Sequence, residues 1–70
     1  MENKYRYLAK KRIENRFTYD DMAHILNISK PYYWQLENKK RNLSYKMAIN
    51  IANVFKLKPD ELFYNEEKQG

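Results

Sequence analysis

Few side chains in this 70-residue sequence suit covalent or metal chemistry. Cysteine is absent, which removes disulfides, thiolate catalysis and Cys-based zinc sites together. His24 is the single histidine, so a His-based metal site would need carboxylate help. The single glycine, Gly70, is terminal, so no phosphate-cradling glycine loop can form. Asp20, Asp21, Asp60 and Glu61 fall in the first turns of expected helices, where carboxylates complement the helix dipole. No hydroxyl–histidine–acid set is suggested. The expectation is a protein with no catalytic residue, no metal, no cofactor and no small-molecule ligand. What remains is recognition by cations, amides and aromatic rings. These concentrate in Lys30, Pro31, Tyr32, Trp34 and Gln35, and in the run Lys39-Lys40-Arg41-Asn42.

The charge pattern frames that segment. The net charge is +5, laid out as +4 over residues 1–17, −2 over 18–38, +6 over 39–58 and −3 over 59–70. Basic flanks around a nearly neutral stretch of aromatic and amide side chains suit a phosphate backbone on either side of a base-reading element. A solvated lysine-rich surface accounts for the charge equally well. No apolar run approaches the roughly 20 residues needed to span a bilayer, and the N-terminus lacks a signal-peptide stretch. A soluble, cytoplasmic protein without a membrane partner is expected. Lys, Asn, Ile and Tyr are abundant and have AT-rich codons, which suits a bacterial or phage origin.

The elements that must position these residues are helices. Hydrophobic residues make up 43% and charged residues 33%, the balance of a folded domain. At this length, burial is limited and a compact helical bundle or a dimer is the stable solution. Tyr5, Leu8, Ala9, Arg12 and Ile13 follow helical spacing, predicting a first helix over about 4–15, with Phe17 as an apolar plug. Thr18-Tyr19-Asp20-Asp21 reads as a capping box. It opens a second helix over about 19–26, with Met22, Ala23 and Leu26 inward and His24 and Ile25 outside or at the edge. Asn27 suits a left-handed helix end, and Ile28 turns inward. Ser29 caps a third helix over about 30–38, with Pro31 in its first turn. Its inward residues are Tyr33 and Leu36, with Glu37 beside them; Lys30, Pro31, Tyr32, Trp34 and Gln35 point outward. Ser44 caps a fourth helix over about 45–55, lined by Met47, Ala48, Ile51, Ala52 and Phe55. Leu57 turns inward, and Lys58-Pro59-Asp60-Glu61 starts a short fifth helix anchored by Leu62 and Phe63. The reading is all-α: a single domain over 1–70 of five short helices, its core about 4–64 and its tail 65–70 frayed.

The second helix, the turn Asn27-Ile28 and the third helix make a helix-turn-helix. The tight turn holds the third helix across the second, with one face protruding at a width that fits the major groove of DNA. The sequence resembles the phage repressor and Cro-type helix-turn-helix family, whose fold is that of the lambda-repressor-like DNA-binding domain. The resemblance runs from about Leu8 to Phe63. It rests on Leu8 and Arg12, Thr18 with Met22-Ala23, Leu26, Ile28-Ser29, Leu36-Glu37-Asn38, Lys40-Arg41, Ser44, Ile51-Ala52 and Pro59-Asp60-Glu61-Leu62-Phe63.

The resemblance implies roles. Arg12 and Glu37 match an ion pair that ties the first helix to the recognition helix. Lys30, Pro31 and Gln35 match base-contacting positions, where Gln pairs with adenine, Lys with guanine or a phosphate, and the Pro ring touches a thymine methyl. Tyr32 and Trp34 are unusual outward aromatics that face sugar or base, or, for Trp34, a protein partner. Tyr19 stands where the family usually has a phosphate-clamping glutamine. Ser29, Asn38, Lys39, Lys40, Arg41 and Asn42 complete the expected phosphate contacts. Arg16 and Lys39 depart from the family by standing where glycine is common, so that the third helix is expected to end differently, with Asn38 in the left-handed conformation.

The function expected is a sequence-specific, double-stranded-DNA-binding transcriptional regulator, a repressor acting as a homodimer on a two-fold operator. Recognition helices about 34 Å apart would match one DNA turn. With no room for a separate dimerisation domain, Leu57, Leu62, Phe63 and Tyr64 are the expected dimer contacts. The alternative is a protein-interaction module on the same scaffold, an antitoxin or accessory subunit.

Overall fold

The computed structural model describes residues 4–64, apart from the Tyr64 side chain; the expected frayed tail lies outside the described residues. The described chain is all-helical: α1 (Arg6–Glu14), α2 (Tyr19–Leu26), α3 (Lys30–Glu37), α4 (Tyr45–Val54) and a short π-helical turn, α5 (Asp60–Tyr64). Starts follow local chemistry. The hydroxyls of Thr18, Ser29 and Ser44 accept from the N–H groups of Asp21, Tyr32 and Met47 at 3.0, 3.2 and 3.1 Å. At α2 the box is reciprocal, since the Asp21 carboxylate accepts from Thr18 N–H at 2.8 Å. The start of α1 has no side-chain cap. Instead Tyr5 N–H donates to the Glu37 carbonyl at 2.9 Å, joining the start of α1 to the end of α3.

The four α-helices also end alike. Arg16, Asn27, Lys39 and Lys56 each take a left-handed φ, between 57° and 60°. Each of their N–H groups donates three residues back, and the next N–H donates five residues back. The latter bonds run Phe17 to Arg12, Ile28 to Ala23, Lys40 to Gln35 and Leu57 to Ala52, at 3.0, 2.9, 2.7 and 3.0 Å. This paired closure satisfies the last carbonyls and reverses the chain. It corrects the expectation at α3: Asn38 keeps φ −95° and Lys39 adopts the left-handed turn. The two closing hydrogen bonds require positive φ one residue later, and a lysine accepts that cost.

The core is one cluster: Leu8 from α1, Met22 and Ala23 from α2, Tyr33 and Leu36 from α3, Ala48, Ile51 and Ala52 from α4, and Leu62 and Phe63 from α5. Three helix ends feed it, because Phe17, Ile28 and Leu57, each just past a left-handed residue, pack against it half-buried. Three expectations change. Ile13 is 62% exposed; it lies roughly 90° round α1 from the centre of the stripe Tyr5–Leu8–Arg12. Tyr32 is half-buried against the core instead of outward. Leu62 and Phe63, expected at a dimer contact, are 0% and 4% exposed within the chain's own core. Leu57 also packs on that core, and the Tyr64 side chain lies outside the described residues.

Candidate nucleic-acid interface

Glu37, fully buried in the last turn of α3, organises the site. Its carboxylate receives Arg12 Nε at 2.9 Å and Arg12 Nη2 at 3.1 Å, a two-pronged pair. Tyr33 Oη donates to the same carboxylate at 2.7 Å. Arg12 Nη1 donates to the Phe17 carbonyl at 2.9 Å, and the guanidinium lies 4.3 Å from the centre of the Tyr19 ring. The ion pair implied by the resemblance is therefore formed, and it fixes α1, the end of α3 and the start of α2 together. Each buried side-chain polar atom among the described residues has a partner.

The titration behaviour follows from this packing. Burial works against the Arg12 cation, but the hydrogen bonds and charge of Glu37 outweigh it and hold its pKa above the ordinary value. Burial, then the charge and hydrogen bond of Glu37, push the Tyr33 hydroxyl well above its ordinary range. The unfolded chain loses the Tyr33 proton near pH 10 while the folded chain keeps it. The stabilisation is thus complete below about pH 10 and falls by up to about 1.4 kcal/mol per pH unit above it. Urea midpoints from pH 9 to 12 should show this decline, and Tyr33→Phe should flatten it. An equal decline in the variant would remove Tyr33 as its source.

With α2 held by Met22 and Ala23, and the chain turned by Asn27 at φ 59°, ψ 46°, the outer face of α3 stands clear. Lys30, Pro31 and Trp34 are exposed there, Trp34 at 41%, and Gln35 is half-exposed. Lys30 Nζ lies 3.7 Å from Asp20 Oδ2 with both side chains mostly in solvent. Such a pair holds little energy and yields readily to a phosphate or base. Ser29 uses its oxygen as the α3 cap, which leaves its O–H as a donor. Lys39, Lys40, Arg41 and Asn42 are all exposed in the loop after α3.

Several expected roles look different in three dimensions. The Tyr19 ring is packed under Arg12 and 6.2 Å from the Tyr33 ring, so it braces the network. The Asn38 amide donates to the Trp34 carbonyl at 2.9 Å. Arg41 Nε donates to Gln35 Oε1 at 3.0 Å, and its guanidinium lies 5.2 Å from the Tyr32 ring centre. Sequence reasoning missed the Arg41–Gln35 pair. Tyr32 and Gln35 share a helix face at i, i+3, but no spacing rule brings a loop residue six positions on back to that face.

A capped helix held across a second helix by a tight turn, with its outer face open and a basic loop beside it, defines a helix-turn-helix domain. The sequence model of the helix-turn-helix family matches residues 8–62, and the chain belongs to that family, in its Cro/C1-type form. An uncharacterized HTH-type transcriptional regulator, YqaE of Bacillus subtilis (strain 168), is 34% identical over 62 residues. That alignment covers 89% of this chain and 53% of the relative, so the chain spans about half the length of the curated protein it matches. No solved structure matches the chain. No helix among the described residues is long and apolar enough to cross a membrane.

Proposed function

We propose that the protein is a sequence-specific binder of double-stranded DNA, a transcriptional repressor that acts in the cytoplasm by occluding its operator. The observation that carries this is the way the helices end. After α1, α2 and α4 the residue following the left-handed turn is apolar and folds onto the core: Phe17, Ile28 and Leu57. After α3 that residue is Lys40, exposed, and it leads into Arg41 and Asn42. A hydrophobic contact usually accompanies this closure. Its replacement by a cation beside the protruding helix suits a phosphate backbone.

In this reading Lys30, Pro31 and Gln35 enter the major groove, with Trp34 at the edge of the same face. Ser29, Lys39, Lys40 and Asn42 hold phosphates. A single recognition helix gains from two-fold pairing on an operator, and the homodimer contact then uses surface other than Leu62 and Phe63. The relative's designation as an HTH-type transcriptional regulator supports the regulatory role.

Selection of bound fragments from random duplexes, followed by a salt titration, tests the proposal. With Lys39 and Lys40 neutralising about two phosphates per protomer, about four per dimer, affinity should fall roughly 150-fold between 50 and 200 mM salt. Failure to enrich any sequence, or salt-indifferent binding, would overturn it. The exposed Trp34 ring favours the second reading, an aromatic protein-binding face, and salt-indifferent capture of a protein partner would be its signature.

A further inference from the structure

The loop Lys39–Asn42 looks uniform in sequence, four polar residues suited to phosphates, but Lys39 Nζ lies 4.7 Å from the centre of the Tyr5 ring and Arg41 is turned onto α3. Its Nε donates to Gln35 Oε1 at 3.0 Å, and its guanidinium lies 5.2 Å from the centre of the Tyr32 ring. Tyr32 is half-buried against the core, so this platform is anchored. The loop cation is thereby held against the face of α3 that carries Gln35.

The geometry points to Arg41 as a base-reading residue, acting with Gln35 as one unit directed at guanine; this rests on the reading that α3 enters the major groove. With Nε engaged, Nη1 and Nη2 remain as a two-pronged donor. Gln35 Oε1 already accepts from a cation, so the carboxamide presents mainly its NH2. The unit faces the groove as a set of donors. Guanine offers two acceptors there, N7 and O6, whereas adenine offers one acceptor and one donor. The adenine pairing that Gln35 would make alone needs Oε1 to accept from N6, and Arg41 competes for that oxygen. The structure thus shifts the base expected opposite Gln35 from adenine to guanine.

Arg41→Lys keeps the charge and removes the fork, and Arg41 is exposed, so the fold should survive the change. Duplexes selected by the unsubstituted protein should carry guanine at one fixed position in each half-site. In Arg41→Lys, discrimination of guanine from adenine at that position should drop about tenfold or more, with preferences elsewhere and the salt slope unchanged. Gln35→Ala should relax the same position, and the double variant should lose less than the two single losses combined. If both Arg41→Lys and Arg41→Ala weaken all sequences alike, Arg41 is a phosphate contact and this inference fails while DNA binding by α3 stands. Enrichment of adenine at that position would also overturn it. If the unsubstituted protein enriches nothing, the functional reading beneath it fails as well.

Discussion

Glu37→Ala is expected to leave little folded protein at 37 °C. The carboxylate is fully buried and receives three hydrogen bonds, two from Arg12 and one from Tyr33. Its removal leaves the Arg12 guanidinium, itself 8% exposed, without its anion inside the fold. Breaking such a pair from one side costs about 3–5 kcal/mol. A domain of this size has about 4–10 kcal/mol in total, at ~0.05–0.15 kcal/mol per residue. Urea denaturation at pH 7 reads the loss directly. Replacing the whole network by apolar residues of similar volume (Arg12→Met, Glu37→Met and Tyr33→Phe together) should be near neutral or stabilising, because no charge is then left unpaired. A Glu37→Ala midpoint within about 0.5 kcal/mol of the parent, the range of ordinary surface substitutions, would show that the pair bears little on stability. The triple variant also separates stability from orientation. Arg12 and Glu37 set the angle of α3 against α1, so it should remain folded yet bind DNA less well.

What was legible in the sequence was chemistry that acts over one helical turn. The hydroxyls of Thr18, Ser29 and Ser44 reach donors three residues on, so type and spacing alone mark the starts of α2, α3 and α4. The inward faces of α2 and α4 were readable for the same reason. The helix ends were harder, because the usual marker, glycine, is missing and only hydrogen bonds to earlier carbonyls reveal that Lys39 and not Asn38 turns left-handed. Ile13 was misplaced because a stripe's edge is set by what packs against it: Arg12 holds the inward slot through Glu37, 25 positions away. Leu62 and Phe63 were apolar and terminal, which in sequence suits a dimer contact as well as a core; packing against α1 decides for the core, with the Phe63 ring 5.1 Å from that of Tyr5. At the candidate site, the resemblance implied the Arg12–Glu37 pair, which the fold forms, and helical spacing put Lys30, Pro31 and Trp34 on the exposed face of α3. The Arg41–Gln35 contact joins a loop to a helix through tertiary geometry, which local spacing does not encode.

The left-handed positions set stability against binding. Arg16, Lys39 and Lys56 hold φ values of 60°, 57° and 58°, in a region that costs an L-residue about 1–2 kcal/mol. Glycine removes that strain but returns about 0.4–1 kcal/mol through the greater freedom of the unfolded chain. Losing a cation at a helix C-terminus takes back a few tenths more. Arg16→Gly, Lys39→Gly and Lys56→Gly together should therefore add about 1.5–2 kcal/mol, raising Tm by roughly 10 °C. Asn27→Gly is the control: asparagine tolerates this conformation, so glycine relieves little strain there and Tm should fall by a few degrees. Binding should divide the three sites. Lys39 belongs to the proposed phosphate-facing loop, so Lys39→Gly should weaken every duplex alike and reduce the salt slope by about one. Arg16→Gly and Lys56→Gly should leave that slope unchanged. If none of the three raises Tm, the strain in the left-handed turns is no larger than what glycine's unfolded-state freedom and the lost cation take back. If Lys39→Gly stabilises the fold without touching the slope, the Lys39 ammonium serves the Tyr5 ring, 4.7 Å from its Nζ, and no phosphate, and the loop's phosphate role must rest on Lys40 and Asn42.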